Sequence, residues 1–186
     1  MAPHPRPTTD VGAILLDSID GMYAQLIARL EGLSDEEYRW EPVADMWAVR
    51  PDEEGSFGVD GAGVRSIDPA PVTTIAWRLW HLALDCFDDY TRRLVHADGA
   101  DAIAEWTPSA STAIATLDDR WQAFRTALEQ RDWWEELGDL WGPFARHNTA
   151  DIALHASNEL VHHGAEIALL RDLYRATGEG GTVLSR

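Results

Sequence analysis

The sequence predicts an all-α protein: a four-helix bundle with a long loop between its first and second helices. Three observations carry that expectation. Apolar residues recur at steps of three and four along four long segments, the pattern of helices with one face in a core. No alternating β run of useful length is present, and no hairpin dipeptide sits between two such runs. The 186 residues are 45% hydrophobic and 25% charged, which suits one domain with a true core and argues against wholesale disorder.

Residues 1–10, MAPHPRPTTD, read as a flexible N-terminal arm. They are Pro-rich and polar and lack the apolar stretch of a signal peptide. The bundle is expected over 11–176. Its first helix starts after Asp10, a good N-cap. It carries Val11, Ile14, Leu15, Ile19, Met22, Leu26, Leu30 and Leu33 as its inward stripe, and Gly32 marks its end. LSDEEY (33–38) reads as a capped turn, with Ser34 and Glu37 in capping-box spacing. From 46 to 71 no period holds, and Gly, Pro and Asp abound. Such a stretch is either a connector or an active-site lid. Its GVDGAG lacks the GK[ST] ending and the preceding strand of a phosphate loop.

The second helix is expected from about Val72 to His96. Ile75, Ala76, Leu79, Leu82, Ala83, Cys86, Tyr90 and Leu94 form one stripe, and Trp77, Trp80, Leu84 and Phe87 lie outside it. A helix this apolar is buried on more than one side. ADGAD (97–101) reads as a turn. The third helix spans about Ser109 to Gln130, with Ile114, Leu117, Trp121, Phe124 and Leu128 inward. DWWEELGDLWGPF (132–144) is a Trp-rich connection. The last helix runs from about Asn148 to Ala176, and residues 177–186 form a C-terminal tail.

Charge and cysteine usage narrow the function classes. The formal net charge of -17 repels phosphate backbones and anionic lipid, so neither nucleic acid nor a membrane surface is an expected partner. No apolar run reads as long enough to span a bilayer. A cytoplasmic location follows as the default. Cys86 is the single cysteine, so no intrachain disulfide and no CxxC metal pair exist. With nothing cationic beside it in sequence, it reads as a small buried hydrophobe.

Two residues break the apolar pattern of the last helix. Ile152, Ala156, Leu160, Ile167, Leu170 and Tyr174 mark its inward stripe, and Glu159 and His163 fall within it. Their spacing of four sets both on one face, about 6 Å apart along the axis. A buried carboxylate must be neutralised, paired or bound to metal. Glu159 could pair with Arg78 or Arg125, it could serve acid/base catalysis, or it could ligate a metal with His163. A third ligand would come from the second helix, where His81 sits mid-helix in IAWRLWHLALD.

A mid-helix histidine in an apolar run, followed by a last helix reading NELVHHGAE, resembles the DinB/YfiT-like metalloprotein superfamily. The usual last-helix pattern there is N-H-x-x-H-H-R-G-Q. The resemblance implies a four-helix bundle with metal ligands His81, Glu159 and His163, and with His162 pointing elsewhere. The chain departs from the pattern at Glu159, Gly164, Ala165 and Glu166. A glutamate at the first ligand position is similar to the mycothiol-dependent maleylpyruvate isomerase and mycothiol S-transferase branch.

His155, one turn before Glu159, can line the same cavity as a secondary catalytic group. Asp85, one turn after His81, can accept the far ring N–H of a ligand histidine. Trp47 and Trp80 can floor a pocket, and His4, His96 and His147 read as surface residues. Arg78, Arg171 and Arg175 are candidate contacts for an anionic group of a cosubstrate. Two imidazoles and a carboxylate suit one divalent ion, zinc first, with nickel, manganese or iron as alternatives.

The resemblance then implies a metal-dependent thiol S-transferase or isomerase. It would use mycothiol or a similar thiol and a small-molecule electrophile, and a homodimer is an expected assembly. The alternatives are a metal- or ligand-holding stress protein without turnover, a non-haem iron oxygenase-like site, and a purely structural bundle.

Overall fold

The computed structural model describes residues 10–64, 67–97 and 105–178. The N-terminal arm over 1–9, most of the expected turn at 97–101 and the tail beyond Gly178 lie outside the described residues. The described chain is mainly helical, with one two-stranded sheet.

Each long helix begins at a side-chain cap of the kind its sequence announces. α1 (Val11–Leu30) starts at Asp10, whose carboxylate accepts from the Ala13 N–H. α2 (Asp35–Tyr38) starts at Ser34, whose hydroxyl accepts from the Glu37 N–H. α3 (Ile75–Trp80) starts at Thr74. A π-helical segment, His81–Asp88, continues it directly, and α4 (Asp89–Leu94) completes the same rod. α5 (Ala110–Glu129) starts at Ser109. α6 (Thr149–Thr177) starts at a full capping box, in which Asn148 and Asp151 each satisfy the other's backbone N–H. A 3-10 turn, Asp139–Phe144, precedes it.

α1 packs along α6, and α5 packs against the rod made by α3, the π-helical segment and α4. The core between them is aromatic. Tyr23 of α1 stacks on Trp121 of α5 at 4.4 Å, and Phe87 meets both Trp121 and Phe124. Trp80, Leu84 and Phe87 are as buried as the stripe they were expected to flank, which fits the all-round apolar character of their helix.

Three expectations need correction. Val11 and Ile14 head the predicted inward stripe of α1, yet both are exposed. In these first turns the buried residue is Gly12, which sits against the Trp133 indole, and the apolar stripe itself is buried from Ile19 onward. By length and composition α1 is also apolar enough to cross a membrane. It nonetheless buries Ile19, Tyr23, Leu26 and Leu30 in the core, and its Asp20 is paired with Arg125 of α5.

The third correction concerns the loop. Residues 46–71 contain an antiparallel hairpin, β1 (Val49–Pro51) with β2 (Phe57–Val59), in register Val49 to Val59. Strands of three residues are too short to show a period. Turn chemistry organises them instead. The Asp52 carboxylate accepts from the backbone N–H groups of Glu54 and Ser56, and Asp60 pairs with Arg50 and accepts from the Ala48 N–H. Trp47 exchanges backbone hydrogen bonds with Val72 and Thr74, and the Trp77 indole donates to the Asp60 carbonyl. The loop is thereby fastened to the first turn of α3, one turn before His81.

Candidate metal centre

His81 opens the π-helical segment, where the wider turn replaces the ordinary i to i-4 ladder. Such segments are rare and recur at functional sites. Trp77 lies flat against the His81 ring, with centroids 5.2 Å apart and planes 12° apart. Glu159 and His163 come from the middle of α6. The three side chains converge across the gap between the two rods. Glu159 Oε2 is 3.4 Å from His81 Nε2 and 3.2 Å from His163 Nε2. One donor atom from each of the three lies within 4.8 Å of the others.

The far side of each imidazole is held. His81 Nδ1–H donates to Asp85 Oδ2 at 3.0 Å, and His163 Nδ1–H donates to Glu166 Oε2 at 2.9 Å. These bonds turn each Nε2 toward Glu159, the side from which a neutral imidazole would present a lone pair to a metal. Two neutral imidazole nitrogens and one carboxylate form a donor set that fits a divalent ion and leaves a coordination position free.

The electrostatics follow from burial and contact. The contacts with His163 and His81 hold the Glu159 carboxyl well below the usual range, against the opposing effect of burial. Burial pushes His163 down. Burial also opposes charge on His81, but Cys86, Asp85 and Glu159 outweigh it and His81 is pushed up to about 12. Without an ion, these contacts favour a proton on His81, which lies between Asp85 and Glu159.

Among the described residues no guanidinium pairs with Glu159. Its contacts are His81, His163 and His155, whose Nε2 is 3.6 Å from Oε1. Arg78 is paired with Glu166, and Arg125 with Asp20 and Glu129. His155 is 53% exposed and also meets Tyr90 across 5.8 Å. Arg171 is remote from this cluster: its guanidinium is buried against Glu37 and the carbonyls of Arg29 and Glu31. It therefore offers no free donor to a cosubstrate. Arg175 is exposed beside Asp172. His162 is exposed, and His147, although exposed, lines the rim of the cleft.

A cleft of about 1020 Å3 opens over the three side chains. Trp47, Trp77, Trp80, Tyr90, Trp141 and Phe144 supply its aromatic walls. Trp47 reaches it because Gly61, at φ +66, leaves room that a Cβ would fill at 2.5 Å from the indole.

Three features escaped the sequence reading. The first is the π-helical segment. The second is the Glu166 bond to His163, for which the i, i+3 spacing was a usable signal. The third is Cys86, whose sulfur lies 3.5 Å from His81 Nε2, five residues along the same rod. It is buried, as expected, and burial pushes its pKa up; what the sequence did not show is that its thiol lies beside the site.

The fold and the three-residue cluster define a helical protein with a site suited to a metal ion. The family profile of the DinB superfamily matches residues 18–167, and the chain belongs to that superfamily. No curated protein and no solved structure matches the chain.

Proposed function

We propose that the protein is a metal-dependent thiol transferase or isomerase, with His81, Glu159 and His163 as its metal ligands. In this reading the four long helical rods form a four-helix bundle of the DinB type. Glu159 sets the chain nearest the mycothiol-dependent branch. The observation that carries the proposal is the convergence of two Nε2 atoms and one carboxylate oxygen at the floor of an aromatic cleft.

His81, Glu159 and His163 would hold a divalent ion, zinc first, which when bound would make a thiol more acidic. The chain supplies the rest. His81 and His163 present their Nε2 lone pairs because Asp85 and Glu166 keep the Nδ1 protons in place. Glu159 would offer Oε2 to the ion, and its Oε1 is turned toward His155 at the cleft edge. Trp77, Tyr90 and Trp141 cover the site with apolar surface, which excludes water from a thiolate and gives a flat electrophile a stacking surface.

The test is direct. Purified protein is assayed with mycothiol and a panel of electrophiles, with bound metal and after chelation. Conjugate or isomer formed only by the metal-loaded protein is the expected result. No turnover by fully loaded protein across the panel overturns the reaction and leaves a metal-holding protein.

A further inference from the structure

Arg78 and Glu166 form an ion pair that crosses from α3 to α6 at the level of the three clustered side chains. Arg78 stands three residues before His81, and Glu166 three residues after His163. The pair therefore joins the two rods just beside the point where the cluster joins them. Its carboxylate has a second task. Glu166 Oε2 accepts from His163 Nδ1 at 2.9 Å, while Oε1 lies 3.4 Å from His162 Nε2.

We propose that Arg78 and Glu166 are positioning residues for metal capture: Arg78 fixes the Glu166 carboxylate, and Glu166 aims the His163 ring. This rests on the metal reading above. Three observations argue for it over a plain inter-helix bridge. First, the carboxylate is shared between a guanidinium and the ring nitrogen remote from the cluster, so the rotamer of Glu166 dictates the angle of the ring. Second, Arg78 is only 6% exposed and keeps its charge in spite of burial, which lowers its pKa to about 10. A buried guanidinium held this way cannot follow a wandering partner, so it behaves as a fixed anchor. Third, Arg78 Nε is buried without a hydrogen-bond partner. A pair optimised for stability alone would satisfy every donor, and this one leaves a donor unmet to hold the carboxylate where His163 needs it.

The two imidazoles are then held unequally. Asp85, which orients His81, is 47% exposed on its side chain and sits on the same rod as His81. Glu166 is anchored from the opposite rod. His163 therefore reports the spacing of the rods, and His81 does not. Metal capture should depend on the clamp more than on Asp85.

The experiment measures zinc affinity by competition with a chromophoric chelator, together with thermal stability, for wild type and four variants. Glu166→Ala should bind zinc about 10- to 100-fold more weakly. Glu166→Gln keeps an acceptor for His163 Nδ1–H but loses the charge pair, and should lose less than tenfold. Arg78→Met should fall between them. The exchange Arg78→Glu with Glu166→Arg restores an inter-rod pair but leaves His163 no acceptor at position 166. It should regain melting temperature without regaining zinc affinity. Glu166→Ala within threefold of wild type overturns the proposal. So does an exchange variant whose affinity recovers along with its stability, because that is the behaviour of a structural bridge. Wild-type protein that takes up no divalent ion overturns the metal reading itself, a result distinct from either.

Discussion

α6 carries its partner in a buried guanidinium–carboxylate pair at each of two levels, and the two pairs differ in what they leave over. At the far end, Arg171 is 2% exposed and Glu37 5% exposed. Arg171 spends its donors on both Glu37 oxygens and on the carbonyls of Arg29 and Glu31. Each guanidinium nitrogen there has a partner, and the effect is to tie α6 to the turn between α1 and α2. At the near end, Arg78 leaves Nε unmet and shares Glu166 with His163. The same two residue types make a closed structural lock in one place and an open arm of a ligand site in the other. The distinction lies in whether the carboxylate also holds an imidazole, and residue type alone does not reveal it.

The sharpest way to break this contrast is to delete a residue at the cluster and one at the lock. Glu159→Ala should abolish stoichiometric metal binding, since it removes the one carboxylate that faces both Nε2 atoms. Arg171→Leu should leave stoichiometry unchanged. Elemental analysis of the purified variants decides it. Metal retained by Glu159→Ala, or lost with Arg171→Leu in folded protein, would erase the distinction.

The lock should show its weight in stability instead. Glu37→Gln removes the charge that Arg171 faces and leaves a buried cation with carbonyl partners only. The expected cost is about 3 kcal/mol in urea unfolding. Zinc affinity should stay within threefold of wild type. A stability change below about 1 kcal/mol would mean that the two carbonyls suffice to hold Arg171.

How much of this was legible follows from period and spacing. The four rods were readable because each repeats its apolar residues over many turns and begins at a Ser, Thr, Asp or Asn cap. Glu159 and His163 were readable because an acid and an imidazole interrupt an otherwise apolar stripe. His81 was readable on its own helix for the same reason, but not its distance from the other two, which depends on how the rods pack. The Arg171 pairing was hidden because Glu37 looks like one end of a capping box, and its side chain turns inward only once α6 is in place. The π-helical segment was hidden too, since HLALDCFD satisfies an ordinary helical pattern equally well. The hairpin at 49–59 escaped because three-residue strands have no period to detect.

The proton held at the cluster sharpens the contrast in another way. With Glu159 ionised and His163 pushed down, the proton of the metal-free site rests on His81, whose value lies at about 12. A metal must displace that proton, so affinity rises with pH for as long as His81 is protonated in the free protein. Between pH 7 and 9 the binding constant should climb about tenfold per unit, with one proton released per ion. Calorimetry in buffers of different ionisation enthalpy counts it. No proton released would place His81 neutral beforehand.

The smallest effect is expected at Asp85. It accepts from His81 Nδ1–H as Glu166 does from His163, but its side chain is half exposed and it is held by the same rod as its histidine. Asp85→Asn keeps an oxygen that can accept the same hydrogen bond, and water can take over part of the task at an exposed position. Zinc affinity should fall by only about two- to fivefold, at the weak end of what outer-shell changes produce. His81 should lose part of the upward push on its pKa, so the pH at which affinity levels off should move down. If Asp85→Asn instead costs as much as Glu166→Ala, the two imidazoles are held equally, and anchoring from the opposite rod confers no advantage on His163.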